Sequence, residues 1–227
     1  MRRAAVFLAC LSVSLIAEAR YHELGRRDGS STARDPSRAY PLDDRPRELP
    51  EDVRRVRCDR SELVSYRGST LRFNVPITIH PAFRPYVERF ERLVADVSRE
   101  HYGRAPRTLS HVGGYNCRTI RGERSTLSEH ALGNAIDVRG FGFYRARDDQ
   151  PLPAGIASHL RRSFVVRVED HWTSDREVDA AHVIFFRKLR ERLEAEPDLF
   201  QVMLGPSFPG HARHLHLDRA PFRFVQF

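Results

Sequence analysis

Two stretches of this chain carry side chains able to hold a metal ion. Ser128-Glu129-His130-Ala131-Leu132-Gly133-Asn134-Ala135-Ile136-Asp137 offers a neutral imidazole and a carboxylate seven residues apart. His211-Ala212-Arg213-His214-Leu215-His216 offers three imidazoles. On a β-strand, residues two apart point to the same face, so His214 and His216 can both look into one cleft. The alternation with Leu215 and Leu217 fits such a strand, which a merely solvated loop does not require. Neutral imidazole is the commonest metal ligand. Three protein ligands, one of them a carboxylate, with a fourth position open to water, is the layout of a hydrolytic zinc centre. Ala131, Gly133 and Ala135 leave room for the close backbone approach that such a centre needs.

Positioning these groups needs strands and helices to brace them. Leu71-Arg72-Phe73 and Ile77-Thr78-Ile79 read as short extended pieces around Pro76. After Pro81, the apolar residues Tyr86, Phe90, Leu93, Val94 and Val97 recur at three- and four-residue spacing, the stripe of a helix that Gly103 stops. Thr108 to Tyr115 reads as a strand broken at Gly113-Gly114, Asn134 to Phe141 as another ended by glycines, and Phe164 to Val168 as a third. Ser174 with Glu177 has the form of a capping box, ahead of a helical stripe of Val178, Ala181, Phe185, Leu189 and Leu193 that ends before Pro197. Phe200 to Leu204 and His214 to Leu217 read as a final strand pair. That order predicts an α+β domain with helices packed on a mainly antiparallel sheet.

The 227 residues allow one domain with extensions, and the hydrophobic fraction of 41% argues against disorder throughout. The net charge of +8 is almost all arginine, with Lys188 the single lysine. Arginines alternate with acids and form no long block, so nucleic acid is not the expected partner. Arg2 and Arg3, the apolar stretch Ala4 to Ala17 and the small residues around Ala19 read as a secretory signal peptide over residues 1–19, not a membrane anchor. No transmembrane segment is then expected in the mature chain. Leu8-Ala9-Cys10 offers the alternative of a lipid anchor through Cys10. Residues 20–51, rich in Arg, Asp, Pro and Ser, read as a flexible leader, and residues 52–227 as the domain. Export places Cys58 and Cys117 in an oxidising compartment, where they pair as a disulfide. The rival reading, two zinc thiolates, lacks CxxC spacing.

The string Ser128-x-His130-x-x-Gly133-x-Ala135-x-Asp137 resembles the signature of D-Ala-D-Ala carboxypeptidases and dipeptidases, a group that also takes in murein endopeptidases and the hedgehog signalling domain. More closely, Tyr115-Asn116-Cys117-Arg118, Leu127 to Ala131, Gly133 to Asp137 and His214-Leu215-His216-Leu217-Asp218 resemble the extensin-like C-terminal domain of proteobacteria. The resemblance spans about Cys58 to Leu217 and implies the hedgehog/D-Ala-D-Ala peptidase-like fold. It makes His130, Asp137 and His216 the ligands of Zn2+, since in that group the second histidine of the His-x-His element binds the metal. The carboxypeptidases place a glutamate shortly before the last ligand, and no acid occupies His211 to Leu215 here. The His-x-x-His-x-His arrangement instead resembles the penicillin-insensitive murein endopeptidases, which makes His211 or His214 the proton acceptor. Arg118, after Gly113-Gly114-Tyr115, is the residue for a substrate carboxylate or an oxyanion. Asp218 is placed to orient a histidine or to cap a strand, and Glu129 is expected to face solvent. The resemblance implies an exported, periplasmic hydrolase acting on peptidoglycan stem peptides. Its alternatives are a carboxypeptidase trimming terminal D-alanine and a zinc-stabilised wall-binding module without turnover. Family members often carry another cysteine where Glu196-Pro197-Asp198 stands, so no second disulfide is expected.

Overall fold

Strands β1 (Val64–Tyr66), β2 (Arg72–Phe73), β3 (Ile77–Ile79), β4 (Thr108–Gly113), β5 (Ala135–Phe143), β6 (Phe164–Arg167), β7 (Val202–Leu204), β8 (Leu215–Asp218) and β9 (Phe224–Gln226) are joined by helices α1 (Arg84–Tyr102), α2 (Val168–His171) and α3 (Ala180–Glu194). This computed structural model describes residues 19–21, 23, 40–53 and 55–227. Apart from Ala19, the expected signal peptide and Cys10 lie outside the described residues. Among the described residues, no helix is long and apolar enough to cross a membrane.

β1 and β3 form an antiparallel ribbon. The main sheet runs β2-β4-β5-β8-β7-β9, with β6 also on β5. The expected α+β class is what the chain adopts. Its sheet is mixed, because β2 joins β4 and β9 joins β7 in parallel while the other pairs are antiparallel. β5 is the spine: Ala135 to Val138 pair with β8 and Gly140 to Phe143 with β6. Glycines were expected to end this strand, yet it runs through two of them. A Cβ at Gly140 would stand 2.2 Å from the Val166 carbonyl oxygen, and one at Gly142 2.4 Å from Thr108 Oγ1. These glycines let β6 and β4 close against β5, which is a packing role rather than a stop.

α1 begins with Pro85 in its first turn, where a missing N–H costs nothing. Val87, Phe90 and Val94 are fully buried, while Tyr86 is only partly so, which centres the apolar stripe one residue later than the periodicity implied. Gly103 ends the helix at φ 73°, the left-handed cap that glycine takes without strain. α3 starts later than its capping signal. Ser174 donates its hydroxyl to Asp179 Oδ2 at 2.6 Å, a 3-10 turn spans Glu177–Asp179, and Val178 is 58% exposed. The capping box therefore does not form, and the buried stripe is Phe185, Phe186, Leu189 and Leu193. Phe90, Phe141, Phe185 and Phe200 interlock between the helices and the sheet, with ring centroids 5.7 to 6.5 Å apart. Each such side chain contributes about 1.5–3 kcal/mol by leaving water.

Part of the expected leader packs on the domain. Tyr40 and Leu42 are 3% and 2% exposed. Leu127 N donates to the Arg47 carbonyl at 2.7 Å, and Leu49 N to the Ser125 carbonyl at 2.6 Å. The few apolar side chains of this segment find seats, and the backbone beside them pairs with the loop leading to His130. Cys58 and Cys117 are disulfide-bonded with Cα atoms 5.7 Å apart. The bond ties the approach to β1 to the loop bearing Arg118. Replacing both cysteines by serine is expected to cost about 4 kcal/mol, the loop-entropy scale for a separation of 59 residues. Chemical denaturation would read the loss, and an unchanged stability would contradict it.

Candidate metal centre

The register of β8 on β5 sets Asp137 directly opposite His216. Paired positions of neighbouring strands share a face, so the two side chains meet. His130 arrives from another direction, on the 3-10 turn Glu129–Leu132. Ser128 caps that turn, its Oγ accepting from His130 N at 3.4 Å. Gly133, at φ 65°, then swings the chain into β5. A Cβ on Gly133 would stand 2.7 Å from His80 N, so both the conformation and the space call for glycine. His130 Nε2 ends 3.2 Å from Asp137 Oδ1 and 3.1 Å from His216 Nδ1. His216 Nδ1 lies 3.0 Å from Asp137 Oδ1.

The outer nitrogens fix where the protons are. His130 Nδ1 meets the Gly114 carbonyl, which can only accept, so Nδ1 donates and Nε2 turns a lone pair inward. His216 Nε2 donates to Asp218 Oδ2 at 2.8 Å, which in the neutral ring leaves Nδ1 as the inward lone pair. Two imidazole lone pairs and a carboxylate oxygen thus face one another, with His130 2% and His216 5% exposed. Three acceptors at this spacing, the two imidazoles buried and Asp137 half-buried, require positive charge among them. The side chains register the same demand. Burial alone would raise Asp137, yet His130 and His216 hold its carboxyl well below the usual range. Burial alone would lower His216, yet Asp137 and Asp218 push it up to about 10. The three ligand atoms all lie within 4.8 Å of one another, a group that could hold a metal ion. Two nitrogens and one oxygen suit the first-row metals that favour imidazole.

The family model described as Extensin-like protein C-terminus matches residues 42–152. The matched segment is extensin-like. It contains Cys58, Cys117, Arg118, His130 and Asp137 and ends before β6. The extensin-like segment thus brings two of the three converging side chains, and His216 is added by the pairing of β8. No curated protein and no solved structure matches the chain.

The triad borders a cleft of about 580 Å³, whose lining includes Arg118, Ser128, His211, His214 and Tyr21. That volume falls within the usual range of ligand sites. His211 Nδ1 donates to the Pro209 carbonyl at 3.0 Å, leaving Nε2 as the unprotonated nitrogen. Burial, then the neighbouring His216, hold His211 down to about 3, so its ring is neutral at neutral pH. His214 stands just before β8 rather than within it. Its Nε2 is 3.7 Å from Asp137 Oδ1, farther than the inward nitrogen of His216, so it borders the triad. Arg118 Nη1 donates to the Thr119 carbonyl at 3.1 Å on the cleft wall. None of His80, His101, His111, His159, His171 and His182 lines this cleft. Trp172 packs on Phe186 and Phe227, at 5.4 and 5.6 Å between ring centroids, and does not line it either.

Glu129, expected at the surface, is 6% exposed. The short turn rotates it inward, where Arg47 and Asn134 both donate to its carboxylate. Burial raises this carboxyl and Arg47 pulls it back. Asn134 also donates to the Arg219 carbonyl at 3.1 Å, while the Arg219 guanidinium sits 3.9 Å from the Tyr86 ring centre and 4.8 Å from that of Tyr40. This network braces the turn that carries His130. Neither the Arg47 partner of Glu129 nor the Gly114 carbonyl that receives His130 Nδ1 is visible in residue type or spacing. Asn134, a polar residue entering a buried strand, was the readable sign of it. Asp218 is fully buried, and its second oxygen accepts from Ala220 N at 2.8 Å. Asp218→Asn is expected to lower metal affinity about 10–100-fold, the usual cost of disturbing the partner that orients a ligand histidine. Calorimetric titration with metal would read this, and unaltered affinity would show that His216 needs no such partner.

Proposed function

We propose that this protein is an exported zinc-dependent hydrolase that cleaves the peptide cross-links of peptidoglycan. The observation that carries the reading is the convergence of His130 Nε2, Asp137 Oδ1 and His216 Nδ1 beside His211 in one cleft. Zinc is the metal of choice because a tetrahedral site with three protein ligands and one open position is its habitual hydrolytic form. When bound, it supplies Lewis acidity to a peptide carbonyl and to the attacking water. The chain's own residues do the rest. His211, neutral and with its Nδ1 proton committed to Pro209, accepts the proton that water loses and passes it to the leaving amine. His214, at the edge of the triad, stabilises charge that develops at the carbonyl oxygen. Arg118 holds a substrate carboxylate or shares in that stabilisation. Asp218 keeps His216 in the tautomer that faces the metal.

Peptidoglycan is favoured as substrate by the resemblance of the Ser128 to Asp137 string to peptidases of D-alanyl peptides. Export is supported by the Cys58–Cys117 disulfide. The test is digestion of purified sacculi by the purified, zinc-loaded protein, with fragments identified by mass. Cleaved cross-links support the reading. Sacculi that bind the protein but stay intact replace it with a zinc-stabilised binding module.

A further inference from the structure

One wall of the cleft comes from far outside the domain's strands and helices. Tyr21, in the expected leader, is 8% exposed and seated among Phe208, Phe222 and Phe224, at 5.5, 5.9 and 5.5 Å between ring centroids. Its contacts are edge-on or tilted, the arrangement aromatic rings prefer. Phe208 in turn lies 5.3 Å from His211, and His211 5.7 Å from His216. A continuous run of rings therefore links Tyr21 to the triad, and Tyr21 lines the same cleft as Arg118, His211 and Asp137. Burial, and after it Asp218 and Glu129, push the phenol well above its usual value while Arg118 pulls it down, so the ring lies in the field of the site's own charges.

We propose that Tyr21 is a specificity-determining residue, a wall of the cleft that limits how readily the site admits the bulk of a cross-linked peptide. The inference rests on the hydrolase reading above and concerns how much of the substrate that site admits. A cross-linked dimer runs past the scissile bond in both directions, so it needs more of the cleft than a single stem peptide does, and the Tyr21 ring fills part of the cleft's lining. Removing the ring opens the seat formed by Phe208, Phe222 and Phe224 and enlarges the cleft beside it.

The test compares two substrates in competition, a disaccharide pentapeptide and its cross-linked dimer, with products weighed by mass spectrometry. Tyr21→Ala is expected to raise the ratio of dimer cleavage to D-alanine release by about tenfold or more, the scale on which pocket size separates substrates. Tyr21→Phe keeps the ring and is expected to keep the wild-type ratio. Tyr21→Leu shortens the wall while leaving the seat apolar, and serves if the alanine variant does not fold. A ratio that stays unchanged in folded Tyr21→Ala or Tyr21→Leu overturns the proposal. A second readout needs no turnover: modification of His211 by diethyl pyrocarbonate in metal-free protein, followed by peptide mass. It is expected to be several-fold faster without the ring. If the wild type cleaves neither substrate, the hydrolase reading falls. The wall is then judged by labelling alone, where equal rates in wild type and variant overturn it.

Discussion

His216→Ala is expected to lose stoichiometric metal and hydrolysis together. His216 supplies one of three inward donors, and its Nδ1 is 3.0 Å from Asp137 Oδ1. The affinity loss should exceed the roughly 10–100-fold cost of disturbing an outer partner, because a ligand itself is removed. The substitution also strips fully buried Asp218 of its side-chain donor, leaving the one from Ala220 N, so folding must be read separately. Asp137→Asn offers the control: it keeps the side-chain shape and removes the charge that the two imidazoles surround. Both variants should fold, as judged by thermal melting, and both should fail to retain metal on gel filtration. Either variant retaining one ion per chain would remove that residue from the ligand set.

His211→Ala is expected to keep the metal and lose activity by about 10²–10⁴-fold, the usual worth of a positioned general base. The two outcomes differ because His211 makes no contact with Asp137 short enough to be an ion pair, whereas His130, His214 and His216 all approach it. Its ring stands 4.9 Å from His214 and 5.7 Å from His216, beside the triad rather than in it. His214→Ala should fall between, retaining metal while losing part of the transition-state stabilisation. Cleavage of muropeptides by His211→Ala at the wild-type rate would pass the role to His214. Full activity in both variants would end the histidine-base mechanism.

Much of the frame was legible because it obeys local periodicity. The α1 stripe, the strand of Asp137 and the strand of His216 all announce themselves through spacing, and the glycine stop at 103 through the conformation it allows. The convergence of His216 with Asp137 and His130 was legible only as a motif, since nothing in the spacing says that β8 will lie beside β5. What stayed hidden depends on partners far along the chain. Glu129 looked exposed because its partner Arg47 lies in a segment that reads as leader. Gly140 and Gly142 looked like strand ends because the neighbours they admit, β6 and β4, are set by topology. Ser174 looked like a cap because its pattern fits, but Asp179 takes its hydroxyl. Tyr21 carries no local signal at all; only the three phenylalanines that receive it explain its burial.

The metal site is tested most directly by titrating zinc into the metal-free protein and counting ions per chain by native mass spectrometry. One ion bound per chain at neutral pH, lost in His130→Ala, Asp137→Asn and His216→Ala but kept in His211→Ala, is the predicted result. No bound ion, or one ion retained in all four variants, would contradict it.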